Sequence, residues 1–215
     1  NEIKAGDGGG YKRQALARPN LVLGLAEAVG GDIILHLPVL KNMEQRVMEK
    51  KQSLLKQTQK KLSDGEVINP INVAIESKNQ GGFHSKISIR DHEIISDQPF
   101  GFNGQNKGPK PSELVLAALA ACQETTYRIF AEDMGIEIGG ISVQLKGTQD
   151  LRGFMALDEE IPAGFTNIAG QIFIQSDATE EELELLRQRV DKHCPVLDDL
   201  ERPVEVSFSI EKHSA

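Results

Sequence analysis

The sequence predicts an α+β fold built on antiparallel strands, and three observations carry that prediction. Residues 71–97 alternate apolar and polar positions in three short runs separated by turn residues. Residues 111–134 and 178–193 read as helices. Alternating runs then resume at 136–149, 165–176 and 203–211. Strands first, then helices inserted among further antiparallel strands, is the order expected when helices gather on one face of a sheet.

Each element has a local reason. Residues 1–20 are Gly-rich and basic, with GDGGG at 6–10, and read as a mobile terminus. Between 40 and 62, Leu40, Met43, Val47, Leu54, Leu55 and Leu62 recur at roughly helical spacing among lysines and Arg46, which predicts an amphipathic helix packed on the body or on a partner subunit. SDGEVINP at 63–70 breaks that pattern. The expected organisation is therefore an N-terminal segment and helical arm over 1–70 and a principal domain over 71–215.

Within that domain INVAIES (71–77), FHSKISIR (83–90) and HEIISD (92–97) form a meander, turned at NQGG and at Arg90–Asp91. FGFNGQNKGPKP (100–111) is too rich in Gly and Asn for a regular element. In the helix that follows, Pro111 suits the first turn, Glu113 complements the helix dipole, and Gly135 stops it. The second helix opens at Asp177 or Thr179, with Glu180 or Glu182 three residues on. PVEVSFSIE (203–211) reads as a closing strand.

Composition removes several functions. With a formal charge of −8, no Trp and two Tyr, the chain offers neither a basic field for phosphates nor a stacking platform, so no nucleic-acid partner is expected. The most apolar stretch, 21–40, is interrupted by Glu27, Asp32, His36 and Pro38, and no membrane span is expected. No basic–apolar–small succession marks a secretory signal, so the expected location is cytoplasmic. There is no CxxC, and His36, His84 and His92 show no ligand spacing, so neither a metal nor a cofactor is expected.

The chemistry that remains lies in two cysteines 72 positions apart, Cys122 and Cys194. Cys122 shares a helical stripe with Val115, Ala118, Leu119, Thr126 and Ile129, an apolar face that points the thiol toward the interior or a pocket. Cys194 precedes Pro195, which marks the exit of the second helix; a helix C-terminus disfavours a thiolate, and His193 stands beside it. Two such thiols are either inert core residues or a redox pair.

The GxxPxEL…AAC helix (Gly108, Pro111, Glu113, Leu114, Ala121, Cys122) and the later CPV segment (Cys194, Pro195, Val196) resemble the OsmC/Ohr family over roughly 71–213. That resemblance implies an intertwined homodimer, with antiparallel sheets wrapped around two central helices, and reduction of organic hydroperoxides. It makes Cys122 the peroxidatic thiol and Cys194 the resolving one, with a small dithiol such as a lipoyl group as reductant. It also implies a cation from the first hairpin beside the nucleophile. That stretch, SKNQGGFHSK, holds only Lys78, His84 and Lys86, while Arg90 lies at the next turn. Glu113 stands nine residues before Cys122, about 180° around an ideal helix, and reads as a helix-start residue. The supporting candidates are thus Glu113, Arg90 and His193, and a partner subunit or the arm's Arg46 is another source of charge. The alternative is a non-catalytic relative that binds a small apolar ligand.

Overall fold

The computed structural model describes residues 53–213. The sequence expectations for 1–52, including the glycine-rich terminus, the first half of the arm helix and Arg46, lie outside the described residues. In chain order the elements are helix α1 (Leu54–Ser63), strands β1 (Glu76–Asn79), β2 (Ser85–Ile89) and β3 (His92–Ser96), helix α2 (Pro111–Met134), strand β4 (Gly140–Gln149), the one-turn helix α3 (Leu151–Phe154), strand β5 (Phe165–Gln175), and helices α4 (Glu180–His193) and α5 (Pro195–Glu201). β1, β2 and β3 form an antiparallel meander; β4 and β5 form a separate antiparallel ribbon. The ribbon pairs Gly140 with Gln175 and runs to Gln149 opposite Phe165, with an irregularity at Thr148/Gln149.

The α2 boundaries follow from its ends. Pro111 contributes no N–H where none is needed, and the Glu113 carboxylate accepts the Lys110 N–H at 3.0 Å. Gly135 ends the helix at φ 71°, a left-handed conformation that glycine adopts without a Cβ penalty. α4 is opened by Thr179, whose hydroxyl accepts the Glu182 N–H while the Glu182 carboxylate accepts the Thr179 N–H. This reciprocal pair selects Thr179 over Asp177 as the cap.

The core lies where α2 meets α4. Tyr127, Phe130 and Ala131 of α2 pack with Leu186 and Val190 of α4, and Ile141, Ile172 and Ile174 of the ribbon close over them. α1 joins this core through Leu55 and a polar latch. Its N-cap Ser53 donates to Asp133 at 2.9 Å, and Asp133 is also paired with Arg189 at 2.9 Å. The Arg189 guanidinium lies 5.0 Å over the Phe130 ring.

Two strand expectations change. The first strand forms only over Glu76–Asn79, and residues 71–75 run on as extended chain with Ile71, Val73 and Ile75 exposed. Residues 203–211 form no strand; Val204, Val206, Phe208 and Ile210 are exposed, the last two at 92% and 98%. The reason is common to both segments. Alternation predicts that a segment suits a sheet, but a strand exists only with a hydrogen-bonding neighbour. Among the described residues neither segment has such a neighbour. Among the described residues no helix is long and apolar enough to cross a membrane.

Candidate functional site

The two cysteines meet. Cys122 projects from the middle of α2, and Cys194 occupies the corner between α4 and α5, with Sγ–Sγ 3.1 Å. Cys122 is half-buried and Cys194 has no exposed surface.

The corner that seats Cys194 is built by Pro195. The proline steers Cys194 out of the helical region, to φ −79° and ψ 112°, while the Cys194 N–H still donates to the Val190 carbonyl at 2.9 Å. The same proline then opens α5, whose first turn is tied by the Asp198 N–H to the Cys194 carbonyl at 3.0 Å. Cys194 is therefore not simply at a helix exit. It ends one helix and stands at the N-cap position of the next, and on α2 the Thr126 hydroxyl donates to the Cys122 carbonyl at 2.8 Å. Burial, and then the neighbouring Cys122 thiol, push the Cys194 thiol above its ordinary value, so it holds its proton.

The other candidates lie elsewhere. Glu113 is engaged in the helix start and stands roughly 13 Å along the helix axis from Cys122, at about 1.5 Å per residue. Arg90 occupies the tip of the β2–β3 turn, exposed, at φ 53°. The exposed His193 ring stacks on Phe130 with centroids 5.2 Å apart. In the first hairpin Lys78 pairs with Glu76 at 3.0 Å and Lys86 with Glu93 at 2.5 Å. Among the described residues no cluster of three or more His, Cys, Asp or Glu could hold a metal ion.

Two functional features escape sequence reasoning. The first is Asp97, 1% exposed at the end of β3, whose carboxylate accepts the N–H groups of Gln98, Gln105 and Lys107. Burial would raise its pKa, but those three donors outweigh it and hold the carboxyl below its ordinary value. Asp97 is thereby the hub of the Gly- and Asn-rich loop that delivers the chain to α2. That loop passes so close to β3 that a Cβ on Gly108 would lie 2.3 Å from the Ile95 carbonyl oxygen. A buried acid opening a loop rich in otherwise unpaired backbone donors is the signal that would have found it.

The second is a cavity of about 800 Å³ between α2, the β4–β5 ribbon and α5, lined by Val115, Leu119, Gln123, Phe165, Ile172 and Leu197 among others. Gln123 is 6% exposed, and its Oε1 has no hydrogen-bond partner.

A two-layer α+β domain whose helices bring two thiols into contact, half-exposed against buried, defines the class. Within it, residues 104–209 match the family model described as OsmC-like protein, and the chain carries an OsmC-like domain. An OsmC-like protein from Mycoplasma pneumoniae superposes with a TM-score of 0.56 at 21% identity, covering 62% of this chain and 90% of that one. An organic hydroperoxide resistance protein OsmC from Legionella pneumophila gives 0.50 at 18% identity, over 63% and 93%. An OsmC-like protein of unknown function from Vibrio cholerae gives 0.52 at 10% identity, over 61% and 94%. At these identities the likeness is one of fold. No curated protein matches the chain.

Proposed function

We propose that the protein reduces organic hydroperoxides through the Cys122–Cys194 pair, and the observation that carries this reading is the 3.1 Å contact between a half-exposed and a fully buried thiol. The Cys122 thiolate attacks the distal peroxide oxygen; the O–O bond breaks, the alkoxide leaves and takes up a proton as alcohol, and Cys122 becomes a sulfenic acid. Cys194 then attacks the sulfenic sulfur. The S–S bond forms, the S–OH bond breaks, and the hydroxyl departs with the Cys194 proton as water. A small dithiol of the lipoyl type restores both thiols by exchange. The contact distance means that the second step needs only a side-chain rotation. The apolar stripe of α2 around Cys122, with Leu119 beside it, favours alkyl peroxides over hydrogen peroxide.

The working unit in this reading is a homodimer. The exposed alternating residues of 71–75 and 203–211 are two strands in need of neighbours, and a second copy supplies both. Truncation after Arg202 is expected to yield a monomer by light scattering; a truncated chain that remains dimeric removes this part of the reading.

The test of activity is thiol counting with peptide mapping after about one equivalent of cumene hydroperoxide, with hydrogen peroxide as comparison. Rapid formation of a Cys122–Cys194 disulfide, faster with cumene hydroperoxide, is the expected outcome. Two unreacted thiols would sink it. A second reading, a binder of a small apolar ligand, is favoured by the cavity with its unpaired Gln123 oxygen, which suits an apolar molecule bearing one hydrogen-bond donor.

A further inference from the structure

We infer that Cys194 is also the group that activates Cys122: its S–H, held in the dry seam between α2 and the α4–α5 corner, donates to Cys122 Sγ and stabilises that sulfur as a thiolate. This rests on the thiol-pair reading above and assigns the buried cysteine a task before resolution.

Three observations converge on it. The two sulfurs lie 3.1 Å apart, close enough for one thiol to donate to the other. The two environments sort the charge. Cys194 has no exposed surface into which to ionise, while Cys122 is half-buried and borders solvent, so a single negative charge shared by the pair settles on Cys122. Finally, three cations are held by carboxylates and a fourth stands at a surface turn. Lys78 and Lys86 pair with carboxylates of their own hairpin, Arg189 is held by Asp133 over Phe130, and Arg90 projects from an exposed turn.

The proton balance joins the two tasks. The proton that Cys194 holds against the Cys122 thiolate is the one the departing hydroxyl takes when Cys194 attacks the sulfenic acid. Activation ends in the act of resolution, and no base outside the pair is needed for the second step. The ionisable residues nearest the two cysteines in sequence on these helices are Glu124 and Arg128 on α2, Asp191, Lys192 and His193 on α4, and Asp198 and Asp199 on α5. Replacing Cys194 leaves all seven in place.

The test is the alkylation rate of Cys122 by iodoacetamide in the reduced full-length protein, read by peptide mapping in wild type, C194A and C194S across a pH series. A hydrogen bond to a charged acceptor is strong enough for C194A to slow alkylation about tenfold at neutral pH. The difference should vanish at alkaline pH, where the thiol ionises unaided, and C194S should recover part of the rate because its hydroxyl still donates. Equal rates in all three proteins at neutral pH would overturn the inference. An unmutated readout guards against variants that fold poorly: the infrared S–H stretch of the reduced wild type. A Cys194 band below the free-thiol position supports the donor role, and a band at the free-thiol position refutes it. Because alkylation involves no peroxide, the two readings fail separately. A protein inert to cumene hydroperoxide but slowed by C194A loses the peroxidase reading and keeps the activation. One that forms the disulfide with peroxide but alkylates at C194A-independent rates loses only the activation.

Discussion

Val190→Ala probes the core and the site together. Val190 has no exposed surface, packs with Tyr127, Phe130 and Leu186, and accepts the Cys194 N–H on its carbonyl. The substitution removes two buried carbons, about 1.6 kcal/mol at roughly 0.8 kcal/mol each. The cavity left between α2 and α4 adds to that, for a total of about 2–3 kcal/mol. Urea unfolding at matched protein concentration is the assay, which holds any contribution from self-association constant. Gln188→Ala, on the exposed face of the same helix, is the control and should stay within about 0.5 kcal/mol. The variant should also form the Cys122–Cys194 disulfide more slowly, since the turn that seats Cys194 loses its packing while both thiols remain. A V190A cost indistinguishable from Q188A would refute the docking of α4 on α2, and with it the seat of the buried thiol.

Thr179→Ala removes the cap and half of the reciprocal pair with Glu182, and should cost about 1 kcal/mol in the same assay; no change would mean that α4 starts elsewhere. Asp97→Asn should make the loop before α2 more susceptible to proteolysis and flatten the acid limb of the stability curve. The Asp97 carboxyl is depressed in the folded state, so its contribution is present above its ordinary value near 3.8 and is lost as pH falls through the folded value. An identical acid limb in wild type and D97N would overturn that assignment. Burial first, and then the charge of Asp191, push the Tyr127 phenol to about 12. Between pH 10 and that value the unfolded chain releases a proton the folded chain keeps, so stability falls as pH rises. Tyr127→Phe should lose this limb, and phenolate absorbance on alkaline titration checks it.

The elements legible in the sequence are those whose ends carry their own chemistry. α2 lies between Pro111 and Gly135 because each satisfies a local backbone demand, and the meander makes its first turn where Gly and Asn cluster. The two segments 71–75 and 203–211 have the right alternation but no hydrogen-bonding neighbour among the described residues, and local pattern does not encode whether one exists. α5 was hidden because a proline after a helix reads as a stop, whereas Pro195 is both stop and start. In the site, the pairing of Cys122 with Cys194 came from family resemblance and not from spacing. The Asp97 hub and the unpaired Gln123 oxygen come from packing between distant segments, which a linear pattern does not record.

The unequal burial of the two sulfurs gives the pair a front and a back. A reductant arriving from water meets the Cys122 side of a disulfide first, since Cys194 is walled in by α2 and its own two helices. In the proposed cycle, exchange at the front sulfur would leave the incoming dithiol joined to Cys122 and expel Cys194 first, still seated at the α4–α5 corner. Each turnover would then reset the buried thiol before the exposed one is freed, so Cys122 would re-enter service with its donor already in place.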